Sequence, residues 1–130
     1  LDGSIEIQAG NLSPSRDLTF VKDTIIGFLE IYKSDNLFGQ VTNIGMNEDI
    51  TIGDLINKIS KIMGITISIV QDHNRIRPTK SEVNRLLCDN TKLSNHTNWK
   101  PKYNLDTGLQ ETIEWIKQNR LYYKSNVYNT

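Results

Sequence analysis

The chain has 130 residues with 15 basic and 15 acidic side chains, so its formal charge at neutral pH is zero. That length suits one domain, and the balanced charge disfavours a nucleic-acid binder, which needs a basic excess to neutralise phosphates. No apolar run approaches the ~20 residues that span a bilayer, and the single cysteine, Cys88, excludes an internal disulfide. We expect a cytoplasmic protein that binds neither nucleic acid nor membrane.

The first part of the chain alternates short strands with one very apolar helix. The patterns predict a strand over 5–8, a Gly/Pro turn over 10–15, an extended segment over 18–21, a helix from its N-cap Asp23 to about Lys33, and a strand over 41–45. The helix is apolar on almost every side, so it must be covered on more than one face. We therefore expect its exposed surface to drive self-association or to bind another segment.

The clearest helix starts at Thr51, a natural N-cap with Asp54 three residues further on, and it ends at Gly64. Between them, apolar residues recur at helical spacing. The remaining predictions are a strand over 65–69, a polar loop over 71–85, a core segment over 86–88, a short helix from Asp89 or Asn90 through Leu93, a last helix capped by Asp106, and a tail after Gln118. Strands that alternate with helices indicate an α/β fold.

Several kinds of site are disfavoured. No glycine-rich dinucleotide loop or Walker loop follows a predicted strand. His73 and His96 have no ligand partner at metal-site spacing, so we predict no metal site. Cys88 lies in an apolar run, which would raise the pKa of its thiol and leave it unreactive.

Two arginines in polar connections, Arg16 and Arg77, are the candidate ligand-binding groups, and Glu82 lies five residues beyond Arg77. A guanidinium grips phosphate oxygens through two parallel hydrogen bonds. Two arginines from separate loops could therefore bracket a diphosphate while a carboxylate accepts from ribose hydroxyls. The alternatives are a surface ion pair between Arg16 and its neighbour Asp17 and, for Asn43, an ordinary asparagine in a chain with 14 of them instead of a pocket residue.

Six segments resemble, in order, the signatures of one enzyme family. They are R-D-L-T-F-V-K-D at 16–23, T-N-I-G at 42–45, I-T-I-G-D-L at 50–55, R-P-T-K-S-E at 77–82, D-N-T-K at 89–92 followed by N-W-K-P at 98–101, and L-Q-E-T-I-E-W at 109–115. This order resembles the extended short-chain dehydrogenase/reductase family of nucleotide-sugar epimerases and 4,6-dehydratases. Asn98 and the Ser81-Glu82 pair depart from the usual glycine and Gly-Asp.

The resemblance implies the C-terminal fragment of an extended Rossmann-type α/β enzyme. Residues 17–45 would partly complete the cofactor-binding sheet, 46–119 would form a small α/β substrate lobe, and 120–130 a tail. The NAD-binding glycine loop and the Tyr-x-x-x-Lys pair of the family lie upstream and do not occur in this sequence. NAD would thus be bound mainly by an absent N-terminal half, this chain would hold no catalytic residue and be inactive alone, and the full-length enzyme would be a homodimer.

What the family implies for this chain is substrate recognition. Arg16 and Arg77 would hold the diphosphate of a nucleotide sugar, Glu82 its ribose, and Asn43 would lie near the sugar or the cofactor. The form of the 77–89 segment is most similar to 4,6-dehydratases that act on UDP- or GDP-linked N-acetylhexosamines in surface-glycan biosynthesis. A 4-epimerase of the same family is the first alternative. A non-catalytic ligand-binding or interaction module is the second.

Overall fold

The computed structural model of the chain describes residues 6–72, Arg75 and residues 83–123. Within these ranges it forms short strands and four α-helices, and no helix there is long and apolar enough to cross a membrane. In chain order the elements are β1 (Glu6–Ala9), β2 (Ser15–Arg16), α1 (Val21–Lys33), β3 (Ile50–Thr51), α2 (Ile52–Met63), β4 (Ser68–Gln71), β5 (Arg85–Leu86), α3 (Thr91–His96) and α4 (Leu105–Gln118), with 3-10 turns at Asp35–Leu37 and Arg120–Tyr122.

The strands form two small sheets. In one, β1 pairs with β4 in parallel, so that Glu6 lies opposite Ser68 and Ala9 opposite Gln71. The other has the order β3-β2-β5, with β2 antiparallel to β3 and parallel to β5. Each pairing in this second sheet is only two residues long. The predicted α/β fold is confirmed, and the central strand β2 carries Arg16.

Helix α2 forms as its sequence pattern predicts. The Thr51 hydroxyl accepts a hydrogen bond from the Asp54 backbone N–H at 3.0 Å and donates to the Asp54 carboxylate at 2.6 Å, which satisfies one of the free donors of the first turn. Gly64 ends the helix in the left-handed conformation, with φ of +66°. Both predicted ends of this helix are confirmed.

Two other predicted caps are wrong because other residues take that position. Helix α1 has Phe20 at its N-cap, and Asp23 lies fully buried in the first turn. Helix α4 has Asn104 at its N-cap, where the side-chain oxygen accepts from the Thr107 N–H at 2.9 Å. Asp106 instead forms an ion pair with Lys58 at 2.7 Å, which joins α4 to α2.

The predicted strand over 41–45 is also wrong, because side chains take the place of a neighbouring strand. Lys92 donates to the carbonyl oxygen of Val41 at 2.9 Å, and the Asn90 amide donates to that of Gly45 at 2.8 Å. The segment is therefore a loop, and the carbonyl oxygens at its two ends are paired with side chains of α3 and of the residue just before that helix.

The core is small and one face of α1 is left open. Leu37, Leu93 and Trp99 are its buried centre, with Ile26, Ile31 and Ile44 packed against them. The opposite side of α1 carries exposed apolar side chains at i, i+4, i+7, i+8 and i+11, namely Val21, Ile25, Phe28, Leu29 and Tyr32. We call this set the α1 apolar face. It matches the prediction that this helix carries more apolar surface than the chain itself covers.

Candidate functional site

A cleft of about 580 Å³ lies between the end of β2, helix α1, the 42–44 segment and the segment that follows β5. Its polar lining consists of Arg16, Asp17, Thr24, Thr42 and Asn43, and the remaining lining residues are Phe28, Ile44, Leu86, Leu87 and Cys88. Volumes of about 300–1,000 Å³ are usual for small-molecule sites. The cleft is thus large enough for a ligand and mixes polar with apolar groups.

Arg16 lies at the cleft with its guanidinium held by backbone oxygens. Its Nη1 donates to the carbonyl oxygen of Ser15 at 2.7 Å and to that of Val83 at 2.8 Å. The second contact comes from Val83, two residues before β5, so the charged group is oriented by its own strand and by the segment that leads into β5. Such contacts fix the direction of the planar guanidinium and of its fork of N–H donors.

The structure brings two of the four predicted site residues together. Arg16 and Asn43 line the same cleft, although they are far apart in sequence and lie on different elements. Arg77 and Glu82 lie outside the described residues, so their predicted roles remain predictions. The predicted core position is wrong for Leu86 and Leu87, whose side chains are 52% and 41% exposed because they form a wall of the cleft, whereas Cys88 is half-buried.

Asp17 is a residue whose role the sequence did not indicate. One carboxylate oxygen accepts from the Met46 N–H at 2.9 Å, and the other accepts from the N–H groups of Asn47 at 2.8 Å and Cys88 at 3.3 Å. The carboxylate thus joins the turn before β3 to the segment after β5. The R-D pair at 16–17 was a signal, but charge alone suggested only an ion pair.

Next to this contact, Gly45 and Cys88 are closely packed. A Cβ at Gly45 would lie 2.2 Å from the Cys88 Cβ, so only glycine fits there. Burial raises the pKa of the Cys88 thiol, and the nearby carboxylates of Asp17 and Asp89 raise it further. The thiol therefore stays protonated near neutral pH, in line with the prediction that it is unreactive.

A second charged cluster, formed by Asp49 and Arg85, holds the start of β2. Arg85 donates two hydrogen bonds to the Asp49 carboxylate, at 2.8 and 3.0 Å, and the Ser15 hydroxyl donates to the same group. The Arg85 guanidinium, followed by the Ser15 hydroxyl, lowers the pKa of Asp49 to about 2. This pairing links both flanking strands to Ser15, the neighbour of Arg16.

One polar atom in the cleft wall is left unpaired. The Thr42 hydroxyl oxygen is buried and has no hydrogen-bond partner among the residues that the structure describes. In the same ranges, no group of three His, Cys, Asp or Glu side chains is placed to hold a metal ion. The site therefore offers an arginine and polar side chains for binding an anion or a hydroxyl-rich ligand.

Residues 2–112 match the family model described as GDP-mannose 4,6 dehydratase. A relative named "Probable GDP-L-fucose synthase 1" from Oryza sativa subsp. japonica is 30% identical over 111 residues, which cover 85% of this chain and 32% of the relative. The chain thus spans about a third of that relative's length.

Solved structures give the same result. A dTDP-glucose 4,6-dehydratase from Bacillus anthracis, in complex with NAD, is 27% identical with a TM-score of 0.74, over 92% of this chain and 36% of that one. A UDP-glucuronic acid 4-epimerase from Bacillus cereus, in complex with UDP-glucuronic acid and NAD, is 28% identical with a TM-score of 0.74, over 88% and 35%. The motifs, the α/β fold and these matches agree, and the chain belongs to the GDP-mannose 4,6-dehydratase family of nucleotide-sugar dehydratases and epimerases, which are extended short-chain dehydrogenases/reductases.

Proposed function

We propose that this chain is the substrate-binding, carboxyl-terminal part of an NAD-dependent nucleotide-sugar 4,6-dehydratase, and that the cleft beside Arg16 holds the diphosphate. The observation that carries the proposal is that Arg16 and Asn43 share one cleft of about 580 Å³. The Arg16 guanidinium is oriented there by two carbonyl oxygens, at 2.7 and 2.8 Å. A charged donor held in this way binds phosphate oxygens with little loss of side-chain entropy.

Arg77 and Glu82 complete the proposed substrate site. Glu82 immediately precedes Val83, whose carbonyl oxygen accepts from Arg16 at 2.8 Å. This sequence adjacency supports the proposal that Glu82 accepts from a ribose hydroxyl, and on the family resemblance we propose that Arg77 shares the diphosphate with Arg16.

The catalytic part of the enzyme is proposed to lie outside this chain. The sequence holds neither the glycine-rich loop nor the Tyr-x-x-x-Lys pair that bind NAD and remove the hydroxyl proton in this family. NAD, held mainly by that other part of the enzyme, would supply hydride transfer at C4 of the sugar. The residues of this chain would hold the nucleotide and orient the sugar toward that chemistry, and the chain alone would be inactive.

The α1 apolar face supports a covering partner, which we propose is the amino-terminal part of the same protein. Phe28 is 63% exposed and Tyr32 87% exposed on this face. Phe28 also lines the cleft. Whatever covers α1 would therefore border the ligand as well, as expected for a site between two parts of one enzyme. We further propose that the full-length protein is a cytoplasmic homodimer.

For the substrate, we propose a UDP- or GDP-linked N-acetylhexosamine used in surface-glycan biosynthesis, on the similarity of residues 77–89 to dehydratases of that type. A 4-epimerase is the second candidate, because the UDP-glucuronic acid 4-epimerase of Bacillus cereus, at 28% identity, is about as similar to this chain as the 27% identical dTDP-glucose 4,6-dehydratase of Bacillus anthracis. In this family both reactions pass through a 4-keto sugar, and a diphosphate site beside Arg16 is compatible with both.

The test is to incubate the full-length protein with NAD and each of UDP- and GDP-N-acetylglucosamine and to analyse the products by mass spectrometry and NMR. A 4-keto-6-deoxy product, which has lost water, supports the dehydratase. A product of unchanged mass inverted at C4 supports the epimerase instead. Nucleotide binding without turnover would contradict both and favour a non-catalytic module. The 130-residue chain alone should give no product.

A further inference from the structure

We propose that Asp17 is a positioning residue that holds Arg16 in its diphosphate-binding orientation. This inference rests on the proposed function of Arg16. Asp17 follows Arg16 directly at the end of β2, and its carboxylate accepts from three backbone N–H groups, those of Met46, Asn47 and Cys88. Its role is therefore to connect main-chain segments around the arginine.

The sheet that carries Arg16 needs such a connection because its pairings are short. Only two residues of β2, Ser15 and Arg16, pair with β3 on one side and with β5 on the other. Two-residue ladders contribute few hydrogen bonds and fix strand register weakly. The Asp17 carboxylate adds contacts beyond the end of β2 on both sides, since Met46 and Asn47 precede β3 and Cys88 follows β5.

The register of β5 in turn sets the orientation of Arg16. The Asp17 N–H donates to the carbonyl oxygen of Leu86 at 2.9 Å, at one end of β5. The carbonyl oxygen of Val83, two residues before β5 begins, accepts from Arg16 Nη1 at 2.8 Å. A shift of β5 along β2 would move the oxygen that holds the guanidinium. The side chain of Asp17 therefore acts on Arg16 through the backbone of β5.

The two segments that Asp17 joins are in direct contact, so movement of one displaces the other. A Cβ at Gly45 would lie 2.2 Å from Cys88 Cβ and 3.1 Å from an Asp17 carboxylate oxygen. An Asp17→Asn variant keeps the size of the side chain but replaces one acceptor oxygen by an NH2 donor. At least one of the three N–H groups then faces a donor, which loosens this junction.

A double-mutant cycle on the full-length protein tests the inference. The wild type, Arg16→Ala, Asp17→Asn and the double variant are titrated by calorimetry with UDP, GDP and dTDP, and the Kd of the nucleotide that binds the wild type most tightly is compared. We expect Asp17→Asn to weaken binding by about 3- to 10-fold when Arg16 is present, and to have no further effect in the Arg16→Ala background. Asp35→Asn, an exposed carboxylate in the 3-10 turn after α1, is the charge-matched control.

The outcomes that overturn the inference are distinct. Equal weakening by Asp17→Asn with and without Arg16 would mean a general structural role, and an unchanged Kd would mean no role in binding. An unchanged Kd for Arg16→Ala would overturn the proposed function of Arg16 and, with it, this inference.

If Asp17→Asn does not fold, a milder pair of variants at Asn47 tests the same inference. Asn47 has φ of +59°, a conformation that glycine adopts freely and alanine does not. Asn47→Ala therefore loosens the turn that donates to Asp17, and Asn47→Gly is the reference. We expect the alanine variant to bind the nucleotide about 2- to 5-fold more weakly than the glycine variant, and only when Arg16 is present. Equal Kd values for the two would overturn the inference.

Discussion

The indole N–H of Trp99 donates to the backbone carbonyl oxygen of Asp23 at 3.0 Å, and both residues are buried. The Asp23 carboxylate in turn accepts from the N–H groups of Lys102 and Tyr103, each at 3.0 Å. These contacts fasten the 99–103 segment to the first turn of α1. Asp23 and Trp99 both belong to the segments that resemble the family. They therefore stabilise the fold around the cleft and do not line the cleft itself.

The two tryptophans of the chain give a matched test of this fastening. Trp99→Phe removes the indole donor and part of a buried ring, so we expect the free energy of unfolding to fall by about 1–3 kcal/mol. Trp115 is 53% exposed, and Trp115→Phe should change that free energy by less than about 0.5 kcal/mol. Urea unfolding followed by circular dichroism measures both. Equal effects of the two substitutions would contradict the assigned role of Trp99.

The glycines at the two ends of α2 should respond oppositely to alanine. Gly64 has φ of +66°, where alanine is strained, so Gly64→Ala should lower the free energy of unfolding by about 1 kcal/mol. Gly53 lies in the first turn, where an added Cβ would meet Leu12 at an ordinary 3.6 Å. Gly53→Ala should be neutral or stabilise the helix slightly. Thermal unfolding decides, and a lower Tm for Gly53→Ala than for Gly64→Ala would refute the helix bounds given above.

Asp49 predicts an acid-dependent loss of stability. Its pKa is lowered from 3.8 to about 2 by Arg85 and Ser15, so the unfolded chain takes up a proton at Asp49 more readily than the folded protein does. The pairing therefore stabilises the fold fully above about pH 4, and this contribution is lost as the pH falls toward 2.

The measurement is the free energy of unfolding of the wild type and of Asp49→Asn from pH 6 down to about pH 2. The wild type should be the more stable protein at pH 6, and its advantage should shrink through the acidic part of this range. A difference between the two proteins that does not vary with pH would rule out the Asp49–Arg85 pairing as its source.

The α1 apolar face predicts self-association of the 130-residue chain on its own. Light scattering should show oligomers, and an apolar dye should bind them, because exposed apolar area of this kind is rarely tolerated in a monomer. The Ile25→Lys, Leu29→Lys double variant should shift the chain toward monomer. Asn57→Lys, which adds a charge on the exposed side of α2, is the control. A monomeric wild-type chain that binds no dye would contradict a covering role for another segment.

Prediction from sequence succeeded where the signal was local. The ends of α2 depend on Thr51 and Gly64, each of which acts within a few residues, and both were predicted correctly. The cap at Asp23 was predicted wrongly because the partners of its carboxylate lie 79 and 80 residues away. Capping rules treat a side chain and its own helix only, so such a long-range use is outside what they can detect.

The site likewise combines residues that a local motif indicates with contacts that only the fold creates. Arginine chemistry and the motif around Arg16 indicated a binding residue, and the structure places it with Asn43 on one cleft. The role of Asp17 could not be read from its type, because its three donors are main-chain N–H groups brought together by the fold. The cleft wall at Leu86 and Leu87 was missed for a related reason: apolar residues that line an open site have the same pattern as apolar residues of a core.

The central claim, that Arg16 binds the diphosphate of a nucleotide sugar, is tested most directly by calorimetric titration of the full-length protein with UDP, GDP and dTDP. Arg16→Ala and Arg77→Ala are compared with the wild type and with Arg120→Ala, an exposed arginine in the 3-10 turn after α4. Hydrogen bonds to a charged group contribute about 1.5–3 kcal/mol each, so we predict a Kd about 10- to 150-fold higher for the first two variants. The Arg120→Ala Kd should equal that of the wild type. A wild-type Kd for Arg16→Ala would contradict the account.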